Sequence, residues 1–141
     1  MKILVPVDGS EGANRAVDYV INSLSWLKDV PQVFLLNVQW KLATGNVKLF
    51  ISQDTINDYY REQGMEALTP ACQRLDAAGL AYSYHISVGT PAEGIVQYAQ
   101  EHGADLIVLG AHGQETLSSL LLGTVADKVA RLASVPVVLV K

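Results

Sequence analysis

Four short apolar runs without strict alternation constrain this chain more than any other feature. They are ILVPV at 3–7, VFLLNV at 33–38, DLIVLG at 105–110 and PVVLV at 136–140. Runs of this length, bounded by turn residues, read as strands that bury both faces. Such a strand needs cover above and below, and a parallel sheet between two helical layers supplies it.

The segments between the runs carry helix signals. Asp8-Gly9-Ser10 reads as a turn, and Ser10 can cap a helix with Ala13, Ala16, Val17, Val20, Ile21 and Leu24 at helical spacing. Thr55 to Asp58 is a loosened capping box that opens a long helix to about Ala78, with Gly79 as its stop. Thr90, Pro91 and Glu93 form a third helix start, and Gly103 ends that helix. TVAD at 124–127 is another capping box, followed by an apolar stripe of Val125, Val129 and Leu132. One further strand, LAYSYHISV at 80–88, alternates. Leu80, Tyr82, Tyr84, Ile86 and Val88 are expected on one face, and Ala81, Ser83, His85 and Ser87 on the other.

The element order is therefore βαβαβαβαβ in 141 residues, which is one α/β domain. The expected fold is a doubly wound, five-stranded parallel sheet with helices on both faces. The alternating strand belongs at an edge, and strand order 3-2-1-4-5 satisfies that. This order leaves the last strand at the other edge, although PVVLV is apolar on both faces. A bare apolar edge is a pairing hazard. A homodimer through the strand Val135–Val140 would remove it, as would cover from the same chain. The stretch from 39 to 53 has no clean period and reads either as a lid or as a surface loop tucked onto the core.

Composition narrows the function classes. Half of the residues are hydrophobic, and the formal net charge is −4 with no block of Lys or Arg. Nucleic acid and anionic membrane are thereby disfavoured as partners. Cys72 is the single cysteine, so no internal disulfide can form, which suits a reducing compartment. The N-terminal apolar run is too short for a signal peptide, and no run approaches a membrane span. The expectation is a cytoplasmic domain.

In a doubly wound sheet the ligand crevice lies beyond the strand carboxyl ends, where the strand order reverses. Here that point falls between strands 1 and 4. Val7-Asp8-Gly9-Ser10 and Leu109-Gly110-Ala111-His112-Gly113 meet there, and Gly123-Thr124 brings a helix N-terminus suited to an anion. The glycines admit two readings. They can form a phosphate cradle in which Gly110 and Gly113 let backbone approach a ligand, or tight turns with close packing.

With these residues in view, the sequence resembles the universal stress protein A family over nearly its whole length. VPVDGS, VGTPAEGIVQYA, GAHGQETLSSLLLGTVADKV and PVVLV carry the likeness. The pattern Gly-x2-Gly-x9-Gly-[Ser/Thr], here Gly110, Gly113, Gly123 and Thr124, is similar to that of the ATP-binding branch. The resemblance implies a Rossmann-like fold, a dimer through the last strand, and ATP (or ADP or AMP) with Mg²⁺ between strands 1 and 4. It further implies that Pro6, Val7 and Asp8 line the adenosine end and that Val38 touches the adenine. Leu109 and Gly110 would flank base and ribose. His112, Gly113, Gly123, Thr124 and Val125 would hold phosphates. The glycine loop departs from many relatives. It carries Ala111, His112, Gln114 and Glu115 and no Lys or Arg, so phosphate binding would rest on backbone N–H groups, the helix dipole and Mg²⁺.

No catalytic residues are assigned. The P-loop pattern G-x-x-x-x-G-K-[ST] is absent, and no spacing suggests a Ser-His-Asp or Cys-His arrangement. The expected role is a nucleotide-binding regulatory module read by a protein partner, with at most slow ATP hydrolysis. The alternative is a ligand-free structural or chaperone-like homodimer.

Overall fold

The computed structural model describes residues 1–42, 51–113 and 121–141. Five strands, β1 (Lys2–Pro6), β2 (Gln32–Gln39), β3 (Tyr82–Val88), β4 (Leu106–Gly110) and β5 (Val137–Val140), form one sheet. Its order is β3-β2-β1-β4-β5, and every pairing is parallel. The helices are α1 (Glu11–Ser23), α2 (Gln53–Ala77), α3 (Pro91–His102) and α4 (Thr124–Leu132), and a short 3-10 turn, Leu24–Trp26, follows α1. Fold class and strand order are those expected from the apolar runs.

The unbroken runs are explained by two cores, one on each face of the sheet. Ile3, Val5 and Val7 of the β1 segment and Val33 and Leu35 of β2 pack with Val17 of α1 and with Leu68 and Leu75 of α2. The intervening Leu4, Phe34 and Leu36 pack with Ile95 of α3 and Val129 of α4. Neighbouring residues on a strand point to opposite faces, so a strand that feeds two cores is apolar at every position.

Several local expectations need correction. The cap of α2 is Ser52, whose Oγ accepts the Thr55 N–H at 3.2 Å, so Thr55 sits inside the first turn. Serine and threonine compete for a cap, and the side chain with a free N–H three residues ahead takes it. Gly79 terminates this helix at φ +67°, as anticipated. Thr90 is the α3 cap by backbone conformation but makes no side-chain cap bond. Glu93 there pairs with Lys128 of α4 instead of reaching back to the cap. The cap of α4 is Gly123, and Thr124 is the first helical residue.

β3 is an edge strand, hydrogen-bonded to β2 alone, but its apolar face is only partly covered: Tyr84 and Val88 are exposed. α2 covers Ile86 closely at Gly64, where an added Cβ would lie 2.6 Å from the Ile86 side chain. β5 is half-buried along its length. Val138 and Val140 pack into the α1–α2 core, and Val137 and Leu139 into the α3–α4 core. The chain's own helices therefore cover both faces of β5. Among the described residues its outer hydrogen-bonding edge pairs with no strand. Of the 39–53 stretch, residues 43–50 lie outside the described residues. Its described start is tied down where the Leu42 N–H donates to the Tyr60 hydroxyl of α2 at 2.8 Å.

Candidate functional site

A cavity of about 360 Å³ opens at the carboxyl ends of β1, β2 and β4. It lies at the reversal in strand order, because β1 runs to β2 on one side and to β4 on the other. All eleven residues singled out from the sequence line it: Pro6, Val7, Asp8, Val38, Leu109, Gly110, His112, Gly113, Gly123, Thr124 and Val125. Nine more join them. Ser10 belongs to the turn expected at the crevice, whereas Leu36, Asn37, Gln39, Trp40, Pro91, Ile95, Ala13 and Ala126 were not expected in this role. Asn37 and Gln39 could have been found, since they are polar residues at the end of an otherwise apolar strand. Pro91 and Ile95 could not, because their place depends on how α3 packs across the sheet.

The turn after β1 is built by local hydrogen bonds. Asp8 Oδ1 accepts the Ser10 N–H at 3.0 Å, and Ser10 Oγ accepts the Ala13 N–H at 3.2 Å, capping α1. Gly9 stands at φ +85°, a conformation L side chains rarely adopt. The turn therefore delivers the Asp8 carboxylate to the cavity while its backbone enters the helix.

The glycines after β4 serve a different end. None of Gly110, Gly113 and Gly123 has positive φ. A Cβ on Gly110 would lie 2.6 Å from the Gly12 carbonyl carbon, and one on Gly12 only 2.1 Å from the His112 carbonyl oxygen. A Cβ on Gly113 would meet Asp8 Oδ2 at 2.7 Å. At Gly123 it would come within 3.1 Å of the Ala111 oxygen, to which the Gly123 N–H already donates at 2.8 Å. The first turn of α1, the loop after β4 and the start of α4 are thus pressed together backbone to backbone. Of the two readings of the glycines, close packing of backbone accounts for Gly110 and Gly123, while Gly113 makes room for the Asp8 carboxylate; Gly12, which the motif does not contain, is the tightest of the set.

The cavity wall is chemically uneven. Val7, Val38, Leu109, Pro91 and Ile95 give it apolar surface. At the α4 end, the N–H groups of Val125 and Ala126 belong to the first helical turn and have no intrahelical acceptor. Among the described lining residues Asp8 alone carries a permanent charge. Lys128 sits one turn further along α4, where its hydrogen bond to Glu93 lowers that carboxyl's pKa. His85 and His102 lie elsewhere, both stacked with Tyr98, with ring centroids 5.7 and 3.8 Å from it. Residues 114–120, with Gln114 and Glu115, lie outside the described residues. Among the described residues no cluster of three His, Cys, Asp or Glu side chains could hold a metal ion, and no helix is long and apolar enough to cross a membrane.

With this geometry in place, comparison with known families is decisive. The profile of the Universal stress protein family matches residues 1–141. The chain belongs to the universal stress protein family. Its relatives in that family include universal stress protein MJ0531 of Methanocaldococcus jannaschii, 32% identical over 144 residues, which cover 99% of this chain and 81% of the relative. The structure of MJ0577 from the same organism superimposes with a TM-score of 0.84 at 31% identity, covering 99% of this chain and 94% of the other. A universal stress protein solved in complex with cAMP superimposes at 0.72 with 26% identity, covering 100% of this chain and 97% of that one. The strand order and the fold are thus those of the universal stress protein family.

Proposed function

We propose that this chain is a regulatory module that binds an adenine nucleotide, with ATP as ligand and Mg²⁺ carried on its phosphates. The observation that carries the reading is the two-ended cavity. The carboxyl ends of β2 and β4 flank β1, about 10 Å apart by strand spacing, with Val38 on one side and, on the other, the α4 N-terminus held beside the β4 end by the Gly123 N–H bond to the Ala111 carbonyl. An apolar end suits a base, and a helix N-terminus suits phosphate. A volume of about 360 Å³ falls within the range of small-molecule sites. Val7, Val38 and Leu109 would hold the base, Asp8 a ribose hydroxyl, and the Gly113 turn with the start of α4 the phosphates. The likeness to a universal stress protein bound to cAMP supports beginning with adenine nucleotides.

The described lining residues supply binding groups and one carboxylate, so the reading places hydrolysis at slow turnover at most. It extends to a homodimer through the outer edge of β5, to a protein partner that senses occupancy, and to a reducing, cytoplasmic setting consistent with one cysteine. Calorimetric titration with Mg-ATP tests it. Binding at or below millimolar Kd is expected, and no heat and no saturation at millimolar ATP would sink the reading. The second reading, a ligand-free structural dimer, is favoured by the close packing that accounts for Gly110 and Gly123 without a ligand. It predicts a dimer that native mass spectrometry finds empty even with ATP added.

A further inference from the structure

We infer that Gln39 reads the edge of the bound base and selects adenine over hypoxanthine and guanine, held in the required orientation by Asn37. The inference rests on the nucleotide reading above and names the specificity of that same cavity. Asn37 is almost fully buried at 3% exposure, and its Nδ2 donates to the Val7 carbonyl at 2.8 Å. A backbone carbonyl only accepts, so the nitrogen of Asn37 is the atom that faces it. The Asn37 Oδ1 then faces away from Val7, and it accepts from Gln39 Nε2. That contact assigns the second amide in turn: an oxygen demands a donor, so Gln39 presents nitrogen to Asn37. Each orientation follows from the chemistry of the partner before it.

The relay leaves Gln39 with its carbonyl oxygen and the second hydrogen of Nε2. Gln39 lines the cavity beside Val38 and Trp40 at the carboxyl end of β2. Its backbone is pinned as well, since its carbonyl accepts the Gly89 N–H at 2.8 Å. An amide offering one acceptor and one adjacent donor matches adenine, whose amine donates and whose neighbouring ring nitrogen accepts. Hypoxanthine and guanine replace that amine with a carbonyl oxygen, which would face the Gln39 oxygen as acceptor against acceptor. Trp40, 61% exposed at the cavity rim, supplies an aromatic face next to that edge. Asn37 is the positioning residue, and Gln39 the one that contacts the ligand.

The test is a pair of titrations, Mg-ATP and Mg-ITP, on the wild-type chain and on Gln39→Leu. Each preference is a ratio within one protein, so a partly unfolded fraction cancels. The wild type is expected to prefer ATP by roughly tenfold, the scale of one bidentate amide–base contact. In Gln39→Leu the ratio should fall to near one, with ATP binding weakened and ITP binding unchanged or tighter. A wild-type ratio near one, or an unchanged preference in Gln39→Leu, overturns the assignment of Gln39 while leaving nucleotide binding intact. A wild type that binds neither nucleotide overturns the nucleotide reading and this inference with it. Asn37→Ala supplies a second check: with Gln39 free to rotate, the ratio should shrink though Gln39 is present, and an unchanged ratio would rule out the relay.

Discussion

The two turns that meet at the cavity both depend on glycine, for opposite physical reasons. After β1, Gly9 is required by its dihedral angle, φ +85°. After β4, Gly110 has an ordinary φ and is required by space, because the first turn of α1 lies where a Cβ would go. The first is a local property of one residue. The second belongs to two segments about a hundred positions apart in the chain. Glycines that look alike in the sequence thus report on different levels of the structure, and substitutions can separate them.

The largest effect should come from Gly110→Ala. The atoms its Cβ would meet are backbone atoms of Gly12, which cannot rotate away. Overpacking of this kind costs about 3 kcal/mol, measurable by urea unfolding, and a loss below about 0.5 kcal/mol would break the packing half of the comparison. Next comes Gly9→Ala, expected to lose about 1–2 kcal/mol from the left-handed conformation. Asparagine tolerates that region better than alanine, so Gly9→Asn should recover part of the loss, while Gly110→Asn should recover none. Recovery at both positions or at neither would erase the distinction. Gly79→Ala is the control for pure conformation, with φ +67° and no atom within 4 Å of the added Cβ. A loss of about 1 kcal/mol is expected there.

The smallest effect concerns the two helices that border the cavity from one side. Lys128 lowers the pKa of Glu93 below its ordinary value of 4.5 in the folded chain. A carboxyl with a depressed folded pKa stabilises above its unfolded pKa and loses that contribution as pH falls through the folded value. Glu93→Gln should therefore be slightly less stable than wild type at neutral pH and indistinguishable from it in acid, below both values. Both side chains are about half exposed, so added salt should shrink the neutral-pH difference. A difference that persisted in acid would show that the pair acts through packing rather than charge.

Much of this architecture was legible because it repeats a simple rule along the chain. Runs such as Ile3 to Val7 and Leu106 to Leu109 are apolar at successive positions, and only a sheet covered on both faces needs that. The cavity residues were legible for a related reason: most follow directly on strand ends, and in a doubly wound sheet strand ends at the order reversal converge. The same logic misjudged β3. Alternation put Tyr84 and Val88 on the covered face, yet α2 reaches only far enough to cover Ile86 between them, and that only in part. It also could not separate a cap from a near-cap at Ser52 and Thr55, since both side chains carry the same chemistry and only the backbone geometry chooses.

Element order, the doubly wound sheet and the neighbourhood of the site follow from residue pattern, because period, turn chemistry and strand burial are local or nearly so. Other features depend on segments remote in sequence coming together. The contact of Gly12 with Gly110 and the His112 carbonyl is one, and the coverage of β5 by α1 and by the α3–α4 core is another. The orientation of Gln39 is a third. It passes from the Val7 carbonyl through Asn37, and a hydrogen bond's direction exists only once donor and acceptor have been brought within reach of each other.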